Sequence, residues 1–280
     1  MAKSLTLGYS TCPNDTFIFG GIAQKSIDLA DFSFDITLAD VEELNRMAMW
    51  AELDVSKISA AALPHVLDKY LVLQAGGALG RGCGPMIVAR EPLSMEQLRV
   101  ASLAIPGRWT TAAMLLNMHG GHQGRAVEMR FDKIMPAVLK GSVDAGLIIH
   151  EGRFTYASQG LHQVIDLGEW WEKETGAPIP LGCIVARRDL GGEVLAGIDG
   201  CIRRSLQQAR ANPQGVWPYI EKHAQETAPE VIRQHIDTFV NDFSLDLGGE
   251  GGRAIRLLVE MAAHRLDKPV PDKPLFRDLS

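Results

Sequence analysis

The sequence predicts a two-lobed α/β fold of mostly parallel sheets with helices on both faces. Three observations point there. Strand-like and helix-like segments alternate along the earlier part of the chain, which is the pattern of a helix-covered parallel sheet. Nearly the same strand recurs in CGPMIVARE (83–91) and LGCIVARRD (181–189), bracketing a middle segment. The chain then ends in helix-like stretches. With 280 residues there is room for two lobes of ordinary size. An inserted lobe needs one strand leaving and one returning. The expected division is therefore 1–90 with 186–280 in the first lobe and 91–185 in the second.

LTLGYS (5–10) reads as the opening strand, and the polar loop TCPNDTF leads to a helix-like run around Ile18–Ala23. FSFDITLAD (32–40) alternates as a half-buried strand does. Asp40, with Glu43 three residues on, is a helix-start signal. Leu44, Met47, Ala48 and Ala51 then recur at helical spacing. LDVSKIS (53–59) is the next strand and SAAALPHVLDKY the next helix. The middle segment repeats the scheme. RVASLAI (99–105) is a strand, PGRW a turn, and TTAAMLLNMH a helix stopped by Gly120 and Gly121. VEMRF (127–131) is a strand, Asp132 caps the helix KIMPAVLKG, and SVDAGLIIH (142–150) is a strand again. The final helices fall on LAGIDGCIRRSLQQARAN, around Pro229–Phe239, and on GGRAIRLLVEMAAHRL.

Composition narrows the function classes. The chain is 46% apolar and 22% charged, enough for a substantial core and against wholesale disorder. Net charge is −6 and the basic residues are dispersed, so no nucleic-acid partner is expected. The cysteines Cys12, Cys83, Cys183 and Cys201 form no C-x-x-C pair, which speaks against a zinc ribbon or a redox dithiol. No apolar stretch approaches the roughly 20 residues of a membrane helix. MAKSLTLGYSTC lacks the apolar centre of a secretory signal. A soluble, cytoplasmic protein that does not engage membranes is the expectation. Phosphate-binding glycine motifs are missing, as is any H-x-x-x-H or carboxylate cluster, so neither cofactor nor metal is expected.

Ligands of open α/β sheets bind outside the carboxyl ends of the strands. Two strands end alike there, DVSKIS in Ser59 and VDAGLIIH in His150, and both residues would face the groove between lobes. A histidine so placed can take or give a proton near neutral pH; it can equally be a structural strand end, and its position leaves both open. Ser59 has no nucleophile-elbow context, so hydrogen bonding suits it better than attack. Arg108 and Arg153 match the fork geometry of a carboxylate, with surface ion pairs as the plain alternative. The turn before Thr110, Thr111 and Ala112 presents a helix N-terminus whose free N–H groups suit a carboxylate. STCPNDTF, rich in turn formers, follows the first strand and so meets the same groove. The remaining histidines are weaker candidates: His65, His119, His223, His235 and His264 fall in helical patterns, His122 and His162 in loops. These residues leave two classes open, a solute-binding module and a cofactor-free enzyme using His150.

GYSTCPNDTF, DVSKISAAALP, GRWTTA and IIHEGRFTY together resemble the 1,4-dihydroxy-6-naphthoate synthases (MqnD type) of the futalosine route to menaquinone. The resemblance runs from about residue 5 into the C-terminal helices; Thr11 stands where that family often has Pro. It implies a fold like that of type II periplasmic binding proteins. It also implies a carbon–carbon lyase without metal or organic cofactor, acting on a small carboxylated substrate. Cyclic dehypoxanthine futalosine would be split into 1,4-dihydroxy-6-naphthoate and a sugar-derived fragment. By the same resemblance His150 is the catalytic base. Asn45, Ser59 and the turn of Thr110, Thr111 and Ala112 contact the substrate, with the adjacent threonines not distinguished. Arg153, in the same motif as His150, stays a candidate for the carboxylate. The rivals are a chorismate dehydratase of the same pathway and a solute receptor.

Overall fold

In the computed structural model, which describes residues 2–225, 228–265 and 273–276, the chain builds two mixed sheets. The first opens with β1 (Lys3–Tyr9), α1 (Pro13–Ala23), β2 (Phe32–Leu38), α2 (Val41–Trp50) and β3 (Val55–Ser59). A 3-10 turn (Ala60–His65), β4 (Tyr70–Val72) and β5 (Ala78–Gly80) follow. The second sheet is built from β6 (Met86–Ala89), α3 (Met95–Val100), β7 (Leu103–Ile105), α4 (Thr111–His119) and β8 (Ala126–Glu128). It continues through α5 (Phe131–Leu139), β9 (Ala145–Ile148), α6 (Gly152–Thr155), β10 (His162–Asp166) and α7 (Leu167–Thr175). The long strand β11 (Ile179–Arg187) returns to the first sheet. After it come α8 (Gly192–Ala211), α9 (Pro213–His223), α10 (Pro229–Phe239), α11 (Asp242–Leu245) and α12 (Gly248–Arg265).

Strand order is β2-β1-β3-β11-β4 in the first sheet, with β5 also on β11, and β10-β6-β9-β7-β8 in the second. The parallel pairs are β1 with β2 and β3, and β7 with β8 and β9. Each such pair needs a long crossover, and helices supply it. By contrast β11 runs antiparallel to β3, β4 and β5, and β6 runs antiparallel to β9 and β10. The sheets are therefore mixed rather than mostly parallel, because the strands that carry the chain between them enter against the grain. The repeated I-V-A-R falls once in each sheet, on β6 and on β11. The chain leaves the first sheet within 81–85 and returns within 176–178, ahead of the boundaries expected near 90 and 185.

Local chemistry explains most element ends. Asp40 caps α2, its carboxylate accepting the Glu42 N–H at 2.9 Å. Gly120, at φ +73°, closes α4 in the left-handed region. SAAALPHVLDKY becomes a 3-10 turn instead of an α-helix, since Pro64 lies within it and has no N–H to extend the ladder. Asp132 sits inside the first turn of α5 and not at its cap, because the helix already begins at Phe131.

Each sheet is sandwiched. Leu7, Phe19, Ile184, Ile198 and Leu206 fill the face of the first sheet under α1 and α8. Ile58, Leu63, Val185, Ile255 and Val259 fill the other face, under the 3-10 turn and α12. In the second sheet Leu103, Leu115, Leu147 and Trp171 pack on one side, and Val88, Ala104, Ile134 and Val138 on the other. Among the described residues, no helix is long and apolar enough to cross a membrane.

Candidate active site

The carboxyl end of β3 and the segments following β1, β7 and β9 converge on one groove between the sheets. Asn14, Lys57, Ser59, Thr111 and His150 line it, with Phe239 adding apolar surface. Because these polar residues lie at or just beyond the carboxyl ends of strands, the groove lies where open α/β sheets place their ligands.

His150 follows β9 at φ +56°, a left-handed conformation that costs a side-chain-bearing residue about 1–2 kcal/mol. Strain of this kind persists where the surroundings over-determine it. The ring lies edge-on to Phe131 with centroids 4.8 Å apart, and nearly parallel to His235 at 5.9 Å. Its Nε2 is buried and makes no hydrogen bond. Burial pushes the imidazole down to about 4, against the opposing charge of Glu151. At neutral pH the ring is therefore uncharged and can accept a proton.

Behind it lies a polar chain. His235 is fully buried; its Nε2 is 3.1 Å from Asn14 Oδ1, and its Nδ1 faces Glu151 Oε2 at 3.5 Å. Asn14 Nδ2 donates to Asp15 Oδ1 at 3.0 Å. Lys57 Nζ donates to the same oxygen at 2.8 Å and to the Gly76 carbonyl at 3.2 Å. Burial alone would raise the Asp15 carboxyl, but Lys57 and two donors from Ser10 outweigh it and hold it below the ordinary range. Asn14 and Asp15 belong to the STCPNDTF loop expected at the groove; Lys57 was not singled out by sequence, and His235 was ranked among the weaker histidines. A signal existed for these last two. His235 shares the buried face of α10 with Ile232, Ile236 and Phe239, and Lys57 interrupts an otherwise buried strand.

Both threonines at the start of α4 have their hydroxyls engaged. Thr110 Oγ1 accepts the Ala113 N–H at 3.2 Å and donates to the Gly107 carbonyl at 2.7 Å. Thr111 Oγ1 donates to the Leu181 carbonyl at 2.8 Å and accepts the Ala61 N–H at 3.3 Å. What this turn still offers a ligand is the first-turn N–H groups of Thr111 and Ala112, which a helix cannot satisfy internally. The Ser59 hydroxyl oxygen accepts from Asn45 Nδ2 at 3.1 Å, leaving its own O–H free to donate.

Asn45 and Arg153 do not line the groove. Asn45 is fully buried, its amide holding the Ser59 N–H at 2.8 Å and the Trp109 carbonyl at 3.3 Å. It therefore shapes the groove from behind. Arg153 donates to the Gly84 carbonyl at 2.7 Å and to Asp166 Oδ2 at 2.8 Å, so its guanidinium braces the 83–85 turn. Arg108 is exposed and paired with Glu128, its Nε 2.9 Å from the carboxylate. The structure thus gathers His150, Ser59, Thr110, Thr111 and Ala112 at the groove. Among the described residues, no group of three or more His, Cys, Asp or Glu is placed to hold a metal.

Residues 5–264 match the family model described as menaquinone biosynthesis. The chain belongs to that family. It is 50% identical over 277 residues to the 1,4-dihydroxy-6-naphthoate synthase of Thermus thermophilus, covering 98% of this chain and 99% of that one. To the Streptomyces coelicolor enzyme of the same name it is 47% identical over 267 residues, covering 94% of each. This family member is an enzyme of menaquinone biosynthesis. A crystal structure from Archaeoglobus fulgidus superposes with a TM-score of 0.88 at 36% identity, covering 94% of this chain and 97% of that one. The alkanesulfonate-binding protein SsuA of Xanthomonas axonopodis pv. citri, bound to MOPS, gives 0.70 at 12% identity, covering 98% and 97%. That second likeness speaks to architecture alone, and the architecture is that of periplasmic binding proteins.

Proposed function

We propose that this enzyme cleaves cyclic dehypoxanthine futalosine to 1,4-dihydroxy-6-naphthoate and a sugar-derived fragment, with His150 as general base. The observation that carries the reading is the uncharged imidazole of His150, its Nε2 without a hydrogen bond, held in a strained conformation at the groove. Two near-full-length relatives named for the naphthoate product support it.

In this scheme the substrate carboxylate docks on the free N–H groups of Thr111 and Ala112, where the helix dipole favours negative charge. His150 takes a proton from the ring system while negative charge develops on an oxygen. The Ser59 hydroxyl and the Lys57 ammonium, both at the groove, are donors suited to that oxygen. The scheme uses no metal or organic cofactor. It takes the two sheets as lobes that close over the substrate. It also places the enzyme in the cytoplasm, where its free cysteines stay reduced.

The test is incubation of purified protein with cyclic dehypoxanthine futalosine and, separately, with chorismate, followed by chromatography. Release of the naphthoate from the first is expected. Turnover of chorismate alone would hand the site to the dehydratase reading, and binding without turnover of either to a solute receptor. A positioned base contributes about 10²–10⁴-fold, so folded His150→Asn should lose turnover by that factor. Wild-type turnover in that variant would remove His150 from the role.

A further inference from the structure

Among the described residues, the buried side-chain polar atoms without a hydrogen bond are His150 Nε2, Glu151 Oε2 and His235 Nδ1. All belong to one cluster. Buried polar groups are normally satisfied, so this concentration calls for a proton not shown by heavy atoms alone. The neighbouring bonds say where it goes. Asn14 directs its amide nitrogen to Asp15 at 3.0 Å, so its oxygen is what His235 meets. An amide oxygen only accepts, hence His235 Nε2 carries a hydrogen. That leaves Nδ1 facing Glu151 Oε2 at 3.5 Å. A bare ring nitrogen and a bare carboxylate would be two acceptors opposed in a buried place. One proton between them turns the opposition into an attraction.

We propose that His235 and Glu151 form a buried imidazolium–carboxylate pair whose role is to occupy the Glu151 charge, so that the adjacent His150 stays unprotonated. Both are positioning residues acting through His150, and the inference rests on His150 being the base. The surroundings favour this distribution. Lys57 on β3 is committed to Asp15 at the start of α1, so neither is left to compensate Glu151. The other faces of the two imidazoles meet Phe131, Phe154 and Phe239, which carry no charge. His235 and His150 stack at 5.9 Å with 14° between their planes, and a cation on one ring disfavours a second on the other. Burial raises the Glu151 carboxyl, but contact with His235 and the charge of its ring offset this, and the carboxyl lies below the ordinary range.

Without His235, the Glu151 carboxylate would act on the adjacent His150, whose ring it already favours in the charged form, and would draw the proton there. Two measurements test this. In ligand-free wild-type protein labelled with 15N-histidine, both ring nitrogens of His235 should be protonated at pH 7.5. A neutral His235 with a bare Nδ1 would overturn the proposal, and this readout needs neither turnover nor a variant. In His235→Gln, kcat/KM at pH 5 should fall roughly tenfold below its own plateau while wild type holds, since one pH unit is a factor of ten. The pair His235→Gln with Glu151→Gln should restore the wild-type profile. An unmoved acid limb in His235→Gln, or a double variant no better than the single, would mean that His235 only packs. Full activity of His150→Asn would instead defeat the base reading, and the nitrogen spectrum would still report the pair.

Discussion

At the scale of single residues, Lys57 and Asp15 set the electrostatics of the groove. Their side chains are 6% and 3% exposed and 2.8 Å apart. Removing one partner of such a pair strands the other charge in a low dielectric, which typically costs about 3–5 kcal/mol. Lys57→Met should therefore lower the unfolding free energy at pH 7 by about that amount in urea titrations. Adding Asp15→Asn should recover most of it, with the coupling read from a double-mutant cycle. Additive losses would mean that the two charges do not depend on each other. His150 and Ser59 were visible in the sequence because a polar residue closing an apolar strand stands out within a few positions. His235 was not. Its helical phase marks it only as buried, and what makes it matter is a contact with Asn14 and Glu151, both far away in the chain.

Elements of the two sheets meet beside the groove through Glu42 of α2. Its carboxylate accepts the Trp109 N–H at 3.2 Å and reaches Asn45 Nδ2 at 3.4 Å, tying the first sheet to the turn before α4. Gly107, at φ +143°, passes so close that an added Cβ would stand 2.4 Å from the Glu42 carboxyl carbon. Burial raises Glu42 to about 7, with the Asn45 and Trp109 contacts opposing. The folded state therefore prefers the protonated acid. That preference is fully present below the unfolded value near 4.5, and it is lost as pH rises through about 7. Glu42→Gln has no such loss. Its stability relative to wild type should climb between pH 5 and pH 8, by up to about 3 kcal/mol. Parallel stability curves for the two proteins would refute the account. Helix starts and stops were readable here because caps are local: Asp40 and Gly120 do what their types suggest. The 3-10 turn at Ala60–His65 and the short strands β4 and β5 were not read. Three-residue strands carry too little periodicity, and Pro64 sits inside an otherwise helical composition.

At the scale of the whole molecule, helix-linked strands disclosed the α/β class, yet the direction of β6 and β11 lay beyond any local pattern. Their sequences are alike and suit either direction; what decides it is where the chain must go next. β11 closes the first sheet by pairing with β3, β4 and β5, strands formed much earlier. The contacts bridging the two sheets at the groove include several hydrogen bonds. Trp109 N–H meets Glu42, the Thr111 hydroxyl meets the Leu181 carbonyl, and Ala61 N–H meets Thr111. Bonds of this kind contribute only about 0.5–1.5 kcal/mol each in net terms, so an opening that breaks a few of them lies within thermal reach. A ligand held by the N–H groups of Thr111 and Ala112 on one side, and by Ser59 and Lys57 on the other, would add contacts only in the closed form. It shifts the equilibrium by that difference in affinity and by nothing else. If the two sheets move apart when no ligand is bound, small-angle scattering should give ligand-free protein a radius of gyration above the value calculated from this structure. Saturating 1,4-dihydroxy-6-naphthoate should bring it down to that value. Identical profiles with and without the naphthoate, already matching this structure, would mean that the groove is a fixed cleft and that substrate enters without lobe movement.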